Sequence, residues 1–357
     1  MRLLPILLCL PLVLVGCGEG DGTSTEASEL DVLAYGVSQI FIPVDPKRPD
    51  GQAETLIRQA ARALANGDSF ASVARGRSDH QSAPDGGFVG FVSAHSETSF
   101  SGAVQATRPG QVSSPIKTRY GWHIIKRHPF EEARALEKKL RVPTHGIIVA
   151  WDNPENRMAM KTGRTKEQAY AEAMQVMQKL GSGDLSLEQA QAIYTPPQQR
   201  RPQAYLGLTE RHGDNEHIFD ALKAAETNQL LGPYDTPKGF AVVMRGKYLR
   251  SLFRHILIQH VGSEEREGPV TRTREQALDI AERVLKQVLA DRSKWDSLVE
   301  AHSDDRYSRS QAGRMGVLDP AIMPEGFASF AYDQPVGSIH PKVVETPFGF
   351  HIVWKVN

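Results

Sequence analysis

The residues best placed to do chemistry are histidines carried by a recurring strand. The chain ends P-F-G-F-H-I-V-W-K from Pro347, and a near copy, R-Y-G-W-H-I-I-K, starts at Arg119. A third copy, P-K-G-F-A-V-V-M from Pro237, has Ala241 where the others have His123 and His351. His145 and His255 open apolar runs, and Asp305 ends the stretch His302-Ser-Asp-Asp. A neutral imidazole carries one donor and one acceptor nitrogen and titrates near neutrality, so it can orient a partner ring, move a proton or ligate a metal. A metal reading finds little support, because no His residues cluster at short spacing and no thiol is at hand. We expect no metal and no cofactor. Two readings stay open: a polar site built on His255, His351 and Asp305, or a structural pair that fills the centre of a sheet.

The elements that must position these residues repeat as well. Apolar runs open at Gln39-Ile-Phe-Ile, His145-Gly-Ile-Ile-Val and His255-Ile-Leu-Ile. A period of about a hundred residues is too long for a solenoid, so each unit should be a small domain with its own core. Thr165-Lys-Glu-Gln168 and Thr273-Arg-Glu-Gln276 each read as a capping box that starts a helix. After Thr273, Ala277, Ile280, Ala281, Val284, Leu285 and Val288 fall at helical spacing; Leu56, Ile57, Ala60 and Leu64 do so in the first unit. A second short helix is expected from Phe70 and from Trp295, then a glycine-marked strand, a short helix around Phe100 or Phe327, and the closing strand. Strands and helices mixed without regular alternation predict an α+β fold, a small sheet with helices packed on it.

Charge and cysteine content bound the function. Lys and Arg together number 42, as do Asp and Glu, for a net charge of zero. That balance argues against nucleic acid as a partner, which would need clustered positive charge. The basic stretch Glu137-Lys-Lys-Leu-Arg141 reads as the solvated face of a helix joining the first two units. Met1 and Arg2 precede an apolar run from Leu3, too short to span a bilayer and interrupted by Pro5 and Pro11, so a signal peptide is expected. The run ends Leu14-Val15-Gly16-Cys17, which resembles the bacterial lipobox; that resemblance implies cleavage before Cys17 and its acylation. Lipid chains bury about 0.8 kcal/mol per CH₂, enough together to hold a protein at a membrane. The other cysteine, Cys9, would leave with the signal, so the mature fold would have no disulfide.

All three units resemble parvulin-type peptidylprolyl isomerases, the third most closely. It carries, in order, Arg254-His255-Ile-Leu-Ile, His302-Ser-Asp-Asp305, Gly313-Arg-Met-Gly-Val-Leu318, Met323-Pro-Glu-Gly-Phe327 and Thr346-Pro-Phe-Gly-Phe-His351. The resemblance implies that His255 and His351 pair across neighbouring central strands, that Thr346 bonds one ring, and that Asp305 sits beside the peptide carbonyl. Met315, Leu318, Met323, Phe327 and Phe348 would then receive the proline. Arg314 stands where many members have Asp and reads as surface variation. The first unit departs from the pattern with Gln39 for the opening His, His80 at the Asp305 position and Ser96 for the Met; Val89, Val92, Phe100, Thr118 and His123 remain. The second keeps His145, Leu206 and Phe219 but has Ala241, Thr195-Pro-Pro and Asn215 elsewhere.

The resulting expectation is a signal peptide over 1–16, a tether over 17–35, and three tandem parvulin-like domains over 36–128, 141–248 and 249–357, with a linker helix over 129–140. Each domain would be a mostly antiparallel four-stranded sheet with packed helices. The third would isomerise X–Pro bonds of unfolded or newly exported polypeptides, without nucleic acid, on a protein lipid-anchored in the cell envelope and facing the periplasm. The second residue after Cys17 is not Asp, and the resemblance to Gram-negative lipoproteins then implies the outer membrane. The rival expectation is a non-catalytic chaperone or scaffold that uses the same folds to bind clients.

Overall fold

The computed structural model describes residues 30–357 except 32–33, 93–98, 154–160, 196–199, 212–214, 267, 321–322, 324–326 and 331–333. The expected signal peptide, Cys17, most of the tether, Ser96, Pro196 and Pro197 lie outside the described residues.

Three antiparallel sheets succeed one another along the chain. The first contains β1 (Tyr35–Pro43), β2 (Phe88–Val92), β3 (Ile116–Thr118) and β4 (Gly121–His128). The second contains β5 (Arg141–Val149), β6 (Tyr205–Glu210), β7 (Leu230–Thr236) and β8 (Gly239–Arg245). The third contains β9 (Ser251–Ile258), β10 (Arg314–Leu318), β11 (Val344–Thr346) and β12 (Gly349–Lys355). Strand order is the same each time: β2-β1-β4-β3, β6-β5-β8-β7 and β10-β9-β12-β11. The opening and closing strands of each unit are therefore the central pair, and the recurring Gly-aromatic-His motif starts the closing strand.

Side chains alternate across these central strands, which gives each sheet two separate cores. In the third sheet Ile256, Ile258, Phe350 and Ile352 face α8 (Arg274–Ala290) and α9 (Trp295–His302). Phe253 and Val353 point the other way, onto Met323 and Phe327. In the first sheet Ile40, Ile42 and Ile124 pack on α1 (Asp50–Ala65) and α2 (Phe70–Arg77). Val37 and Ile125 face the opposite side, where Phe100 of α3 (Ser99–Ala106) lies. In the second sheet Ile147 and Val149 pack against α5 (Lys166–Ser182) and α6 (Leu187–Tyr194). Val142 and Ile148 meet α7 (Glu216–Ala224) on the other face. Both capping boxes form: Thr165 and Thr273 accept from the backbone of Gln168 and Gln276, whose side chains reach back. A third, at Ser186 and Gln189, starts α6. The glycine of the recurring motif is set by geometry. Gly121, Gly239 and Gly349 have φ of +147°, +138° and +133°, and a Cβ on any of them would strike a carbonyl oxygen of the facing strand.

The segment after the first sheet is helical, α4 (Phe130–Leu140), and two expectations about charged residues fail nearby. Lys138 and Lys139 are exposed, as a solvated face requires, but Glu137 is fully buried. Its carboxylate takes hydrogen bonds from Arg141, at 2.5 Å, and from Arg250 and Tyr248. A buried carboxylate is tolerable only when it is paired in this way. Arg314 is 2% exposed rather than superficial, and its guanidinium stacks 4.3 Å from the ring centre of Tyr35. Both residues sit where the first and third units meet, beside an apolar cluster of Ala34, Phe130 and Leu252 with Phe91 and Val317 against it. A sequence pattern reports local amphipathicity; it carries no signal for charges buried between units.

Candidate functional site

In the third unit the predicted polar residues come together in one hydrogen-bonded line. His255 on β9 and His351 on β12 lie on the same face of the sheet, 5% and 4% exposed. Their rings stack with centroids 5.3 Å apart, and their Nδ1 atoms are 3.1 Å apart. His255 Nε2 lies 2.8 Å from Asp305 Oδ2 and 3.0 Å from Ser308 Oγ. Thr346 Oγ1 lies 2.8 Å from His351 Nε2 and accepts from the Phe348 N–H at 3.1 Å. With both rings neutral, the carboxylate fixes every direction. A carboxylate only accepts, so His255 holds its hydrogen on Nε2 and offers a lone pair at Nδ1. His351 then donates from Nδ1 and accepts at Nε2 from the Thr346 hydroxyl.

The electrostatics come from burial and pairing. Burial, with the neighbouring His255 charge, holds the His351 imidazole well below its ordinary range against a smaller upward pull from Asp305. Burial pushes the Asp305 carboxyl up, but hydrogen bonds and charge from His255 and the bonds from Ser308 outweigh it. The net result lies far below the usual carboxylate range. Asp305 is also the N-cap of α10 (Arg306–Arg309): its Oδ1 accepts from the backbone of Tyr307 and Ser308, leaving Oδ2 for His255. One carboxylate thus closes a turn and ends the line. Ser308, which sequence reasoning missed, is 1% exposed and sits in that turn; a serine three residues after a capping Asp is too common a spacing to have marked it.

Beside this line lies an apolar wall. Phe253, Met323, Phe327, Ala328, Phe330, Val344 and Val353 form one cluster, with Met315 and Leu318 packed against it. Phe327 meets the His351 ring edge-on at 4.9 Å between centroids, so the wall and the polar line share a border. Met315, Leu318, Met323 and Phe327 therefore gather as expected. Phe348 is not in the cluster. It is half-buried in the turn between β11 and β12, and its backbone rather than its ring engages Thr346.

The first unit builds a shorter version. Gln39 Oε1 accepts from His123 Nδ1 at 3.0 Å, and Thr118 Oγ1 lies 3.0 Å from His123 Nε2. Phe100 meets the His123 ring at 5.4 Å, close to Val89 and Val92. His80 Nδ1 accepts from the Ser82 N–H at 3.1 Å. Burial and the charge of His80 lower His123 to a pKa of about 4.

The second unit corrects the alignment. His351 pairs with Leu257 and His123 with Phe41, whereas Ala241 pairs with Ile148. Two residues before those partners stand His255, Gln39 and Gly146. Gly146 therefore occupies the opening histidine position, and His145 is one residue out of step. A shift of one residue moves a side chain to the other face of the sheet. His145 accordingly sits on the helix side, its Nδ1 bonded to the Gln203 carbonyl at 2.8 Å and its ring against Tyr205. Leu206 is 42% exposed and outside the apolar cluster, while Phe219 is buried within it. Asn215 is exposed at the start of α7. Among the described residues no group of three or more His, Cys, Asp or Glu could hold a metal ion, and no helix is long and apolar enough to cross a membrane.

The family described as "Rotamase: PPIC-type PPIASE domain" matches residues 40–129 and 255–356, more than half of the chain. The chain is 40% identical over 92 residues to the chaperone SurA of Chromohalobacter salexigens, covering 25% of this chain and 21% of that protein. It is 32% identical over 88 residues to SurA of Nitrosospira multiformis, covering 24% and 20%. The matched stretches thus span about a fifth of these curated relatives. Among solved structures, the peptidyl-prolyl isomerase ESS1 of Candida albicans is 24% identical with a TM-score of 0.29, covering 30% of this chain and 63% of that one. A structure titled for SurA-like chaperones of Campylobacter jejuni is 28% identical with a TM-score of 0.23, covering 30% and 38%. With its repeated sheet order and two matched regions, this chain belongs to the PPIC-type, or parvulin, rotamase family.

Proposed function

We propose that the third unit is a peptidylprolyl cis–trans isomerase and that the first two bind or space the polypeptide client. The observation that carries this reading is the continuous line from Thr346 through His351 and His255 to Asp305, bordered by Met323 and Phe327. The X–Pro bond turns slowly because rotation breaks amide resonance. The planar amide is the charge-separated form; the twisted transition state has less charge on oxygen. A site that removes water and offers apolar surface to the proline ring therefore favours the twisted state. No covalent step or cofactor is needed.

Each residue then has a role. Met315, Leu318, Met323 and Phe327 receive the ring. His351 and His255 hold the local polarity in one direction, and Thr346 fixes that direction at its far end. Asp305, ionised throughout the ordinary pH range, places negative charge beside the substrate carbonyl and disfavours further charge on its oxygen. Ser308 steadies Asp305 as a positioning residue. Clients are unfolded or exported polypeptides, in keeping with the chaperone relatives. Linked weak sites on one chain would raise the effective concentration of client near the third unit. We further propose acylation at Cys17 and an envelope location; mass spectrometry of the mature N-terminus tests both, since an unmodified cysteine removes the anchor.

The second reading is a binding protein without turnover. The observation favouring it is that two units of three lack the complete line: the first ends at Gln39 and the second has Ala241 and Gly146. Exchange of an Ala-Pro peptide measured by NMR, with the full chain as catalyst, separates the two. The expected result is catalysis that falls about tenfold in Asp305→Asn, the worth of one charge-assisted hydrogen bond. Absence of acceleration by the unsubstituted chain overturns the enzyme reading and leaves client binding.

A further inference from the structure

Where the linker helix meets the second unit, cations crowd together without acids. Lys223 on α7 sets its ammonium on the end of α4, 3.1 Å from the Lys138 carbonyl oxygen and 2.9 Å from that of Lys139. Arg245, the last residue of β8, donates to the Ala225 carbonyl, just past α7, at 3.2 Å. The Lys138 ammonium lies 5.3 Å from the centre of the Tyr248 ring. Lys138, Lys139 and Lys223 are exposed, and Arg245 is half-buried. Among the described residues none of the four forms an ion pair. Glu137, the acid beside them in sequence, is fully buried and already taken by Arg141, Arg250 and Tyr248. The crowding acts on Lys223: burial lowers its pKa, and the charges of Arg245 and Lys139 lower it further. The carbonyls meet only part of this demand, since an ammonium has three donors. A lone unpaired cation on a surface is ordinary; four together form a seat for an anion.

The chain has an anion of its own within reach. Residues 18–29 hold Glu19, Asp21, Glu26 and Glu29 and no lysine or arginine. The segment joins the fold at the start of the same helix: Asp31 Oδ1 accepts from the N–H of Phe130, the first residue of α4, at 2.5 Å. The 11 residues of α4 make it about 16 Å long, which sets the distance from that point to the cluster. An extended chain covers about 3.5 Å per residue, so Glu26, Asp21 and Glu19 can meet the cluster with their side chains, while Glu29 stays near the helix start. Glu131 and Glu132, the exposed acids of α4, also stand at its start, away from the cluster. We propose that segment 18–29 folds back along α4 and docks its carboxylates on Lys138, Lys139, Lys223 and Arg245. A single exposed ion pair is worth little, but the attached segment brings several carboxylates at an effective concentration on the order of millimolar. Docked, it holds whatever precedes residue 18 against the second unit and closes the cluster to other anions. The inference stands apart from the isomerase reading and from acylation at Cys17.

The test uses residues 18–357, which keep every described residue and contain no cysteine, with a nitroxide on Ser24→Cys and ¹⁵N-labelled lysine throughout. The amide signals of Lys138, Lys139 and Lys223 are assigned by their loss in single lysine-to-glutamine variants. The expected result is broadening that lowers these three peaks about twofold or more at low salt. The peaks should recover in about 1 M sodium chloride, where charges are screened within about 3 Å. The combined variant Glu19→Gln, Asp21→Asn and Glu26→Gln should recover them at low salt as well. Lys138→Gln with Lys139→Gln should relieve Lys223 in the same way and leave the unfolding midpoint unchanged, since both side chains are exposed. Broadening that persists with the neutralised segment would reflect nearness alone and overturns the proposal, as does its absence from the unsubstituted chain. Two further arms name other occupants, and either overturns it: broadening that comes only from a spin-labelled second copy mixed with the ¹⁵N chain, or peak shifts with phosphatidylglycerol vesicles when the label on the segment leaves the peaks unchanged.

Discussion

The first and third units begin the same hydrogen-bonded line and end it differently. In both, a threonine hydroxyl on the short strand meets the Nε2 of the closing histidine, at 3.0 Å from Thr118 and 2.8 Å from Thr346. In both, that histidine borders a phenylalanine, Phe100 or Phe327. The third unit then continues through a second ring to a carboxylate, whereas the first stops at the Gln39 amide. The neighbouring charge differs in sign. Asp305 pulls the His351 pKa upward, and His80 pushes that of His123 downward. The closing histidine thus belongs to the fold in both units, and the groups beyond its Nδ1 decide whether a negative charge stands at the pocket.

The apolar walls should separate the two units most strongly. Phe327 is 2% exposed, whereas Phe100 is half-buried. Phe327→Ala should cost about 3–5 kcal/mol in the third unit and Phe100→Ala about half of that in the first. Amide hydrogen exchange of β12 and β4 reads each unit by itself, which matters because a chain of several units need not unfold in one step. Equal losses would mean that the third pocket is no better packed than the first.

Acid should act on the first unit next. The His123 pKa is about 4 when folded and near 6.5 when unfolded, so between those values the unfolded chain binds more protons. Its contribution is complete above pH 6.5 and lost as the pH falls towards 4, about 3 kcal/mol in all. His123→Gln should flatten that part of the pH–stability profile for β4 amides. His351 behaves with the same sign, since burial keeps it well below its ordinary range even against the pull of Asp305, so β12 amides should also lose protection on acidification, and a flat profile for them would contradict that.

Grafting tests the same difference in reverse. The pair Gln39→His and His80→Asp supplies the first unit with the second ring and the carboxylate. In a full chain already carrying Asp305→Asn, the graft should restore peptide exchange severalfold, less than the about tenfold lost, because Val89 and Val92 stand where Met315 and Leu318 do. No recovery would show that the larger apolar groups matter more than the polar line.

Much of this comparison was legible in the residues. The triple Gly-aromatic strand and the helical spacing after Thr273 rest on local periodicity, which a sheet with two covered faces preserves; the gathering of Met323 and Phe327 was legible only through the resemblance to parvulins. Three features were not. His145 looked like the counterpart of His255, but register is a property of two strands, and a slip of one residue is invisible in either alone. Glu137 and Arg314 looked solvated because helix and strand patterns do not register a neighbouring unit. Phe348 was assigned to the pocket with the parvulin resemblance, yet its turn brings its backbone N–H, and not its ring, to Thr346. Local pattern places side chains on faces; pairing and docking decide what those faces meet.

The helix starts give the smallest effect and the narrowest test of equivalence. Thr165 and Thr273 accept from the N–H of Gln168 and Gln276 at the same distance, 3.3 Å, and the glutamines return bonds of 2.9 and 2.8 Å. Replacing either threonine by alanine removes one cap and should cost about 1 kcal/mol in its own unit. The two losses should also agree within about 0.5 kcal/mol and add in the double variant, since no shared partner joins the two sites. Agreement would mean that the second unit kept its local helix chemistry while its sheet lost the histidine line. A markedly smaller loss at Thr165 would place the divergence of the second unit in its folding as well as in its site.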